Sequence, residues 1–122
     1  MGEPAALGQR AEKAALLFLE THGLSLVARN YRCRWGEIDL IVGESSCLVF
    51  VEVRYRQASG FGGAAATVSR SKQRRLLNAA SHFLSRHPHF NSVSTRFDVI
   101  GIDREGSEQT IQWIKDAFRP GD

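Results

Sequence analysis

The chain has 122 residues, 43% of them apolar, with a net charge of +3. That length predicts one compact domain over residues 1–122, and the apolar share argues against disorder. Cys33 and Cys47 are far apart and outside any Cys-x-x-Cys unit, which argues against a disulfide framework or structural zinc and for a reducing cytoplasm.

The first helix is expected over Ala5–Thr21, with Leu7, Ala11, Ala14, Ala15, Phe18 and Leu19 on one stripe and Gly23 ending it. The start carries no basic-then-apolar signal pattern, and its longest apolar run, Ala14 to Leu19, is too short to span a bilayer. A soluble cytoplasmic protein with no membrane partner is the expectation. Leu24–Tyr31 reads as a strand and Arg32–Trp35 as a basic turn. Two further strands, Gly36–Val42 and Val49–Arg54, flank a short polar loop and form a hairpin. Gln57–Ala66 reads as a flexible Gly/Ala loop able to close over a bound backbone. A second helix starts at the N-cap Ser69 and runs to about Arg86, burying Leu76, Leu77, Ala80, Phe83 and Leu84, until His87-Pro88 stops it. Thr95–Ile102 and Thr110–Ile114 are the last strands.

The order α-β-β-β-α-β-β makes the third and fourth strands a parallel pair joined by a right-handed crossover. The fold class is α/β, with a central mixed β-sheet flanked by helices.

Charge is unevenly spread. From Val53 to Phe97 there is no Asp or Glu, while Arg54, Arg56, Arg70, Lys72, Arg74, Arg75, Arg86 and Arg96 fall there. One positive face is expected, suited to phosphate-bearing partners. The basic residues crowding the start of the second helix add to the anion preference of its dipole. Gln73 is expected to face inward, toward the sheet.

The hairpin carries the candidate chemistry. Pairing Gly43 with Leu48 sets Ile41 opposite Phe50, Asp39 opposite Glu52, and Glu37 opposite Arg54. These acids share one face, while Val49, Val51 and Val53 point the other way. Opposed carboxylates repel unless a cation or a proton sits between them.

Asp on one strand and Glu-x-basic on the next resembles the PD-(D/E)xK nuclease core, a restriction-endonuclease-like arrangement. More closely, the chain resembles the YraN family of bacterial proteins, which look like relatives of archaeal Holliday-junction resolvases. The resemblance is carried by Gly8, Glu12, Arg29-Asn30-Tyr31-Arg32, Gly36-Glu37-Ile38-Asp39-Leu40-Ile41, Val49 to Arg56, Gly62, Lys72 and Arg96-Phe97-Asp98-Val99. It implies that Asp39 and Glu52 hold Mg²⁺ or Mn²⁺, with the Val53 carbonyl as a third ligand and Glu12 beside the metal. It also implies water activation and charge neutralisation at a scissile phosphate of branched or otherwise distorted duplex DNA. Candidate nucleic-acid contacts are Arg32, Arg34, Arg56, Arg70, Lys72, Gln73, Arg74 and Arg75. A homodimer is implied by analogy, because a four-way junction presents paired scissile sites.

One departure from that pattern stands at Arg54, where the motif has Lys. Arginine stays charged, so it can clamp a phosphate or stabilise a transition state but cannot serve as a base. The chain uses thirteen Arg and three Lys, so compositional drift is one explanation. Loss of hydrolysis with retained nucleic-acid binding is the other. Lys72 substitutes if its helix end points at the site. A protein–protein adaptor is the remaining alternative. Trp35 and Tyr55 suit either base stacking or packing at strand ends, packing being the more ordinary role. Asp98 reads as structural.

Overall fold

The computed structural model describes residues 3–57 and 68–121, with side chains from Gly8 onward. Helix α1 (Glu3–Thr21) leads into strands β1 (Ser25–Cys33), β2 (Gly36–Glu44) and β3 (Cys47–Gln57). Helix α2 (Arg70–Arg86), a short 3-10 turn at Pro88–Phe90, β4 (Ser94–Glu105) and β5 (Glu108–Phe118) follow. The order is α-β-β-β-α-β-β, as the sequence predicts. Most of the Gly/Ala loop, including Gly60-Phe61-Gly62-Gly63, lies outside the described residues.

Local chemistry sets the helix ends. Gly23, at φ 89, closes α1, where the Leu24 N–H bonds the Leu19 carbonyl and the Gly23 N–H bonds that of Glu20. Such paired bonds over a left-handed residue are what glycine permits without strain. Ser69 caps α2, its hydroxyl accepting from the Lys72 N–H at 3.1 Å.

The strands form one sheet in the order β1-β2-β3-β4-β5. All neighbours are antiparallel except β3 and β4, which pair in parallel from Cys47–Ser94 to Gln57–Arg104. The crossover through α2 accounts for that pair, since parallel strands cannot be joined by a tight turn. With a helix on each face, β3 is buried from both sides. Leu48 and Phe50 pack under α2 with Leu76, Ala80 and Phe83, while Val49 and Val51 pack under α1 with Ala15 and Leu19. A strand covered on both faces reads as a near-continuous apolar run, as this one does up to Glu52.

Asp98 ties β4 to β5. It is fully buried, and its carboxylate accepts from the Trp113 indole N–H (2.9 Å), the Asp116 backbone N–H (2.9 Å) and the Arg96 guanidinium (3.0 Å). Arg96 in turn reaches Glu44 at the β2–β3 turn, 2.7 Å away. No helix among the described residues is long and apolar enough to cross a membrane.

Candidate active site

The β2–β3 register is the expected one, with Gly43 opposite Leu48 and Ile41 opposite Phe50. The ladder stops at Leu40–Val51. One step beyond, the Asp39 carboxylate takes the Val53 N–H at 2.8 Å, so a side chain replaces the backbone acceptor. In an extended strand a residue's N–H and C=O lie on the same side. The Val53 carbonyl therefore also faces the opened edge, where the resemblance wants a ligand.

Because the ladder ends, Glu37 does not meet Arg54. It pairs instead with Arg32, across β1–β2, at 2.9 Å. Arg54 turns to Glu52, its Nη1 3.5 Å from Oε2.

Asp39 and Glu52 come together. Their carboxyls lie close enough to share a hydrogen bond, and Glu52 is 3% exposed. Burial, then the Asp39 charge, pushes the Glu52 carboxyl up to about 8. Burial raises Asp39 as well, against the pull of the Val53 N–H. The pair favours a proton or a cation over two bare charges. Glu52 Oε1 is buried with no hydrogen-bond partner among the described residues, which is costly unless a water or a cation fills the gap.

Lys72 reaches this pair from the first turn of α2. Its Nζ lies 3.7 Å from Glu52 Oε2, and its charge acts on Asp39 too. The helix end thus points at the site, and the ammonium that the strand lacks at position 54 arrives from above.

Glu12 approaches from α1. Burial and the Asp39 charge raise its carboxyl, a hydrogen bond with the Asn30 side chain opposes this, and its Oε1 is also buried without a partner. Asn30 belongs to one of the blocks that carry the resemblance, but nothing in the sequence assigns it a role. It holds a left-handed φ of 51 within β1, between the Arg29–Leu40 and Tyr31–Ile38 pairs. Asparagine tolerates that conformation better than most residues. Opposite it, β2 changes its facing: Ile38 and Ile41 both pack under α2, where strict alternation would separate them. Asp39 thereby feels Glu12 on one side and Lys72 on the other.

Among the described residues no three His, Cys, Asp or Glu side chains form a metal-ligating group. A cation here would rest on Asp39, Glu52, the Val53 carbonyl and water. That donor set suits Mg²⁺ or Mn²⁺, hard ions that use one or two carboxylates and keep several waters. The two orphaned carboxylate oxygens fit the same group.

The other candidate residues divide over α2. Arg75 lies against Gly36 of the β1–β2 turn, on the flank shared with Lys72. Arg70, Gln73 and Arg74 line a groove on the other flank with Leu77, Arg119 and Gly121. Gln73 therefore does not face the acids; its amide donates to the Val68 carbonyl at 3.3 Å, anchoring the chain entering the helix. Arg119 was missed, because its place beside α2 depends on where β5 ends. Arg56 sits 3.8 Å from Asp103, its partner across the parallel pair. Tyr55 packs at a strand end as expected, against the α1-side core, but Trp35 is 44% exposed beneath Arg34.

Residues 11–102 match the uncharacterised protein family UPF0102. The matched span contains Glu12, Asp39, Glu52, Lys72 and Asp98. A UPF0102 protein of Ralstonia nicotianae is 52% identical over 118 residues, covering 93% of this chain and 87% of that one. Relatives in Alcanivorax borkumensis (50% over 112 residues, 91% and 90% covered) and Pseudomonas putida strain GB-1 (47% over 118, 94% of each) are also similar.

Proposed function

The chain belongs to the UPF0102 family, and from the chemistry of its acid pair we propose that it is a metal-dependent phosphodiesterase acting on branched or otherwise structured DNA. The observation that carries this reading is the buried Asp39–Glu52 pair, with an unpartnered oxygen and a lysine and an arginine beside it. A structural ion pair would have no use for two adjacent buried carboxyls.

The roles follow from position. Asp39 and Glu52 hold the cation, and Asp39 is itself fixed by the Val53 N–H. When bound, the cation supplies Lewis-acid charge for the scissile phosphate. Lys72 sets an ammonium at the Glu52 carboxylate, where it orients an attacking water by donating to it. Arg54 is a permanent cation suited to a phosphate oxygen. Glu12 leaves one more carboxylate oxygen for water or the cation. A junction carries two scissile sites, so two chains are expected to act together. Sedimentation as a monomer at every concentration would remove that part.

A second reading is a nucleic-acid-binding module that no longer cleaves, favoured by Arg54 in the lysine position. Labelled four-way junction, flap and linear duplex, incubated in Mg²⁺, Mn²⁺ or EDTA, separate the two. Hydrolysis that needs metal, Asp39 and Lys72 supports the enzyme. Cleavage by Arg54→Lys alone identifies a decayed site. Silence from both, with DNA still retarded on a gel, supports the binding module.

A further inference from the structure

Trp35 stands at the tip of the β1–β2 hairpin, 44% exposed, with the Arg34 guanidinium 4.8 Å from its ring centre. The tip is held in place. Gly36 adopts φ 148, a conformation other residues rarely take, and a β-carbon there would lie 3.5 Å from that of Arg75 on α2. Arg75 is one helical turn from Lys72, which reaches Glu52. About 13 Å of extended β2 separates Trp35 from Asp39.

The surroundings decide what the ring would meet. Leu17 on α1 and Leu26 and Val27 at the start of β1 are the other exposed large apolar side chains among the described residues. Leu26 and Val27 lie at the far end of β1 from the hairpin tip. Among the described residues Trp35 therefore joins neither Leu26 nor Val27 in a contiguous apolar patch of the kind that marks a protein interface. Arg34 instead stacks on the ring, Arg75 of α2 approaches Gly36 next to it, and Arg32 on the same hairpin engages the nearby acid Glu37 at 2.9 Å. An exposed indole set among arginines matches a base stacked on an aromatic face with its phosphates held alongside.

We propose that Trp35, braced by Arg34, is a stacking platform for an unpaired nucleobase beside the acid site. A base inside a continuous duplex has both faces covered, so the substrate class is nucleic acid with bases unpaired or splayed near the cleavage point. The inference rests on the nucleic-acid reading above and narrows it.

The test follows indole emission and oligonucleotide affinity in EDTA, so that no cleavage intervenes. Wild type, Trp35→Ala and Trp35→Tyr are titrated with a single strand, a duplex carrying a central unpaired loop, and a continuous duplex. Single strand and loop should quench wild-type emission. Trp35→Ala, which reports only Trp113, should show no quench and bind both about 10-fold more weakly, with continuous duplex unchanged. Trp35→Tyr should recover affinity. Equal binding of all three ligands by Trp35→Ala and wild type would overturn the platform. So would a uniform loss, or a change in sedimentation that makes Trp35 part of a self-association face. Quenching without any Mg²⁺-dependent cleavage would remove the hydrolase and leave the platform. Cleavage without quenching would remove the platform alone.

Discussion

Glu52 is almost wholly withdrawn from water, and the energetic consequence has a sign. Its carboxyl titrates at about 8 in the folded chain against an ordinary 4.5. Between those values the native state keeps a proton that the unfolded chain has lost. Stability is therefore highest below the lower value, falls as pH rises, and levels off above the upper one. Thermal melts of chelated protein should show this decline, and Glu52→Gln should flatten it. Equal pH slopes in the two would contradict the assigned burial cost. Mn²⁺ favours the ionised pair, so it should raise the melting temperature more at pH 8 than at pH 5. Asp98 is a second buried carboxylate with the opposite character, since it is fully engaged by Arg96, Trp113 and Asp116. Asp98→Ala strands those donors and should cost about 3–5 kcal/mol in urea denaturation. Both carboxylates stand out in the sequence, and the structure buries both, Asp98 in the structural role expected of it. What was hidden was Glu12's surroundings, because its approach to Asp39 depends on the left-handed Asn30 and on how α1 seats against the sheet.

Helix α2 brings Lys72 to the acids that β2 and β3 carry. Its start was readable to the residue because Ser69 is a strong cap followed by a regular apolar stripe. Ser69→Ala should cost about 1 kcal/mol, checked by urea denaturation, and loosen the turn bearing Lys72. The hairpin register was equally readable, since one face had to bury Ile41 and Phe50. Where the β2–β3 ladder ends was not. Alternation continues in the sequence through Glu37 and Arg54, but the Asp39 carboxylate takes the Val53 N–H and β2 changes its facing opposite the left-handed Asn30, so the pairing ends at Leu40–Val51. The last strand also runs longer than expected, through Phe118, because Asp98 takes the Asp116 N–H and Phe118 is buried against Phe97 beyond it. Gln73 was misplaced for a related reason. Lys72 and Gln73 are adjacent, and a rotation of α2 by one residue decides which of them meets the acids.

At the scale of the whole molecule, the acid-free segment from Val53 to Phe97 contains α2, whose basic residues lie on both of its flanks. Arg32, Arg34, Lys72, Arg74, Arg75 and Arg70 make up the basic surface around α2 and the β1–β2 turn. If six such groups meet phosphates, affinity for nucleic acid should fall on the order of 10³ between 50 and 200 mM salt. Filter binding at several salt concentrations checks this, and a salt-independent affinity would exclude a backbone-dominated mode. The claim on which everything else depends is that Asp39 and Glu52 together hold a divalent cation. Calorimetric titration of the chelator-treated protein with Mn²⁺, alongside Asp39→Asn and Glu52→Gln, tests it most directly. Saturable binding of one ion per chain, abolished by either substitution, is the predicted result. No binding, or binding that survives both substitutions, would contradict the account.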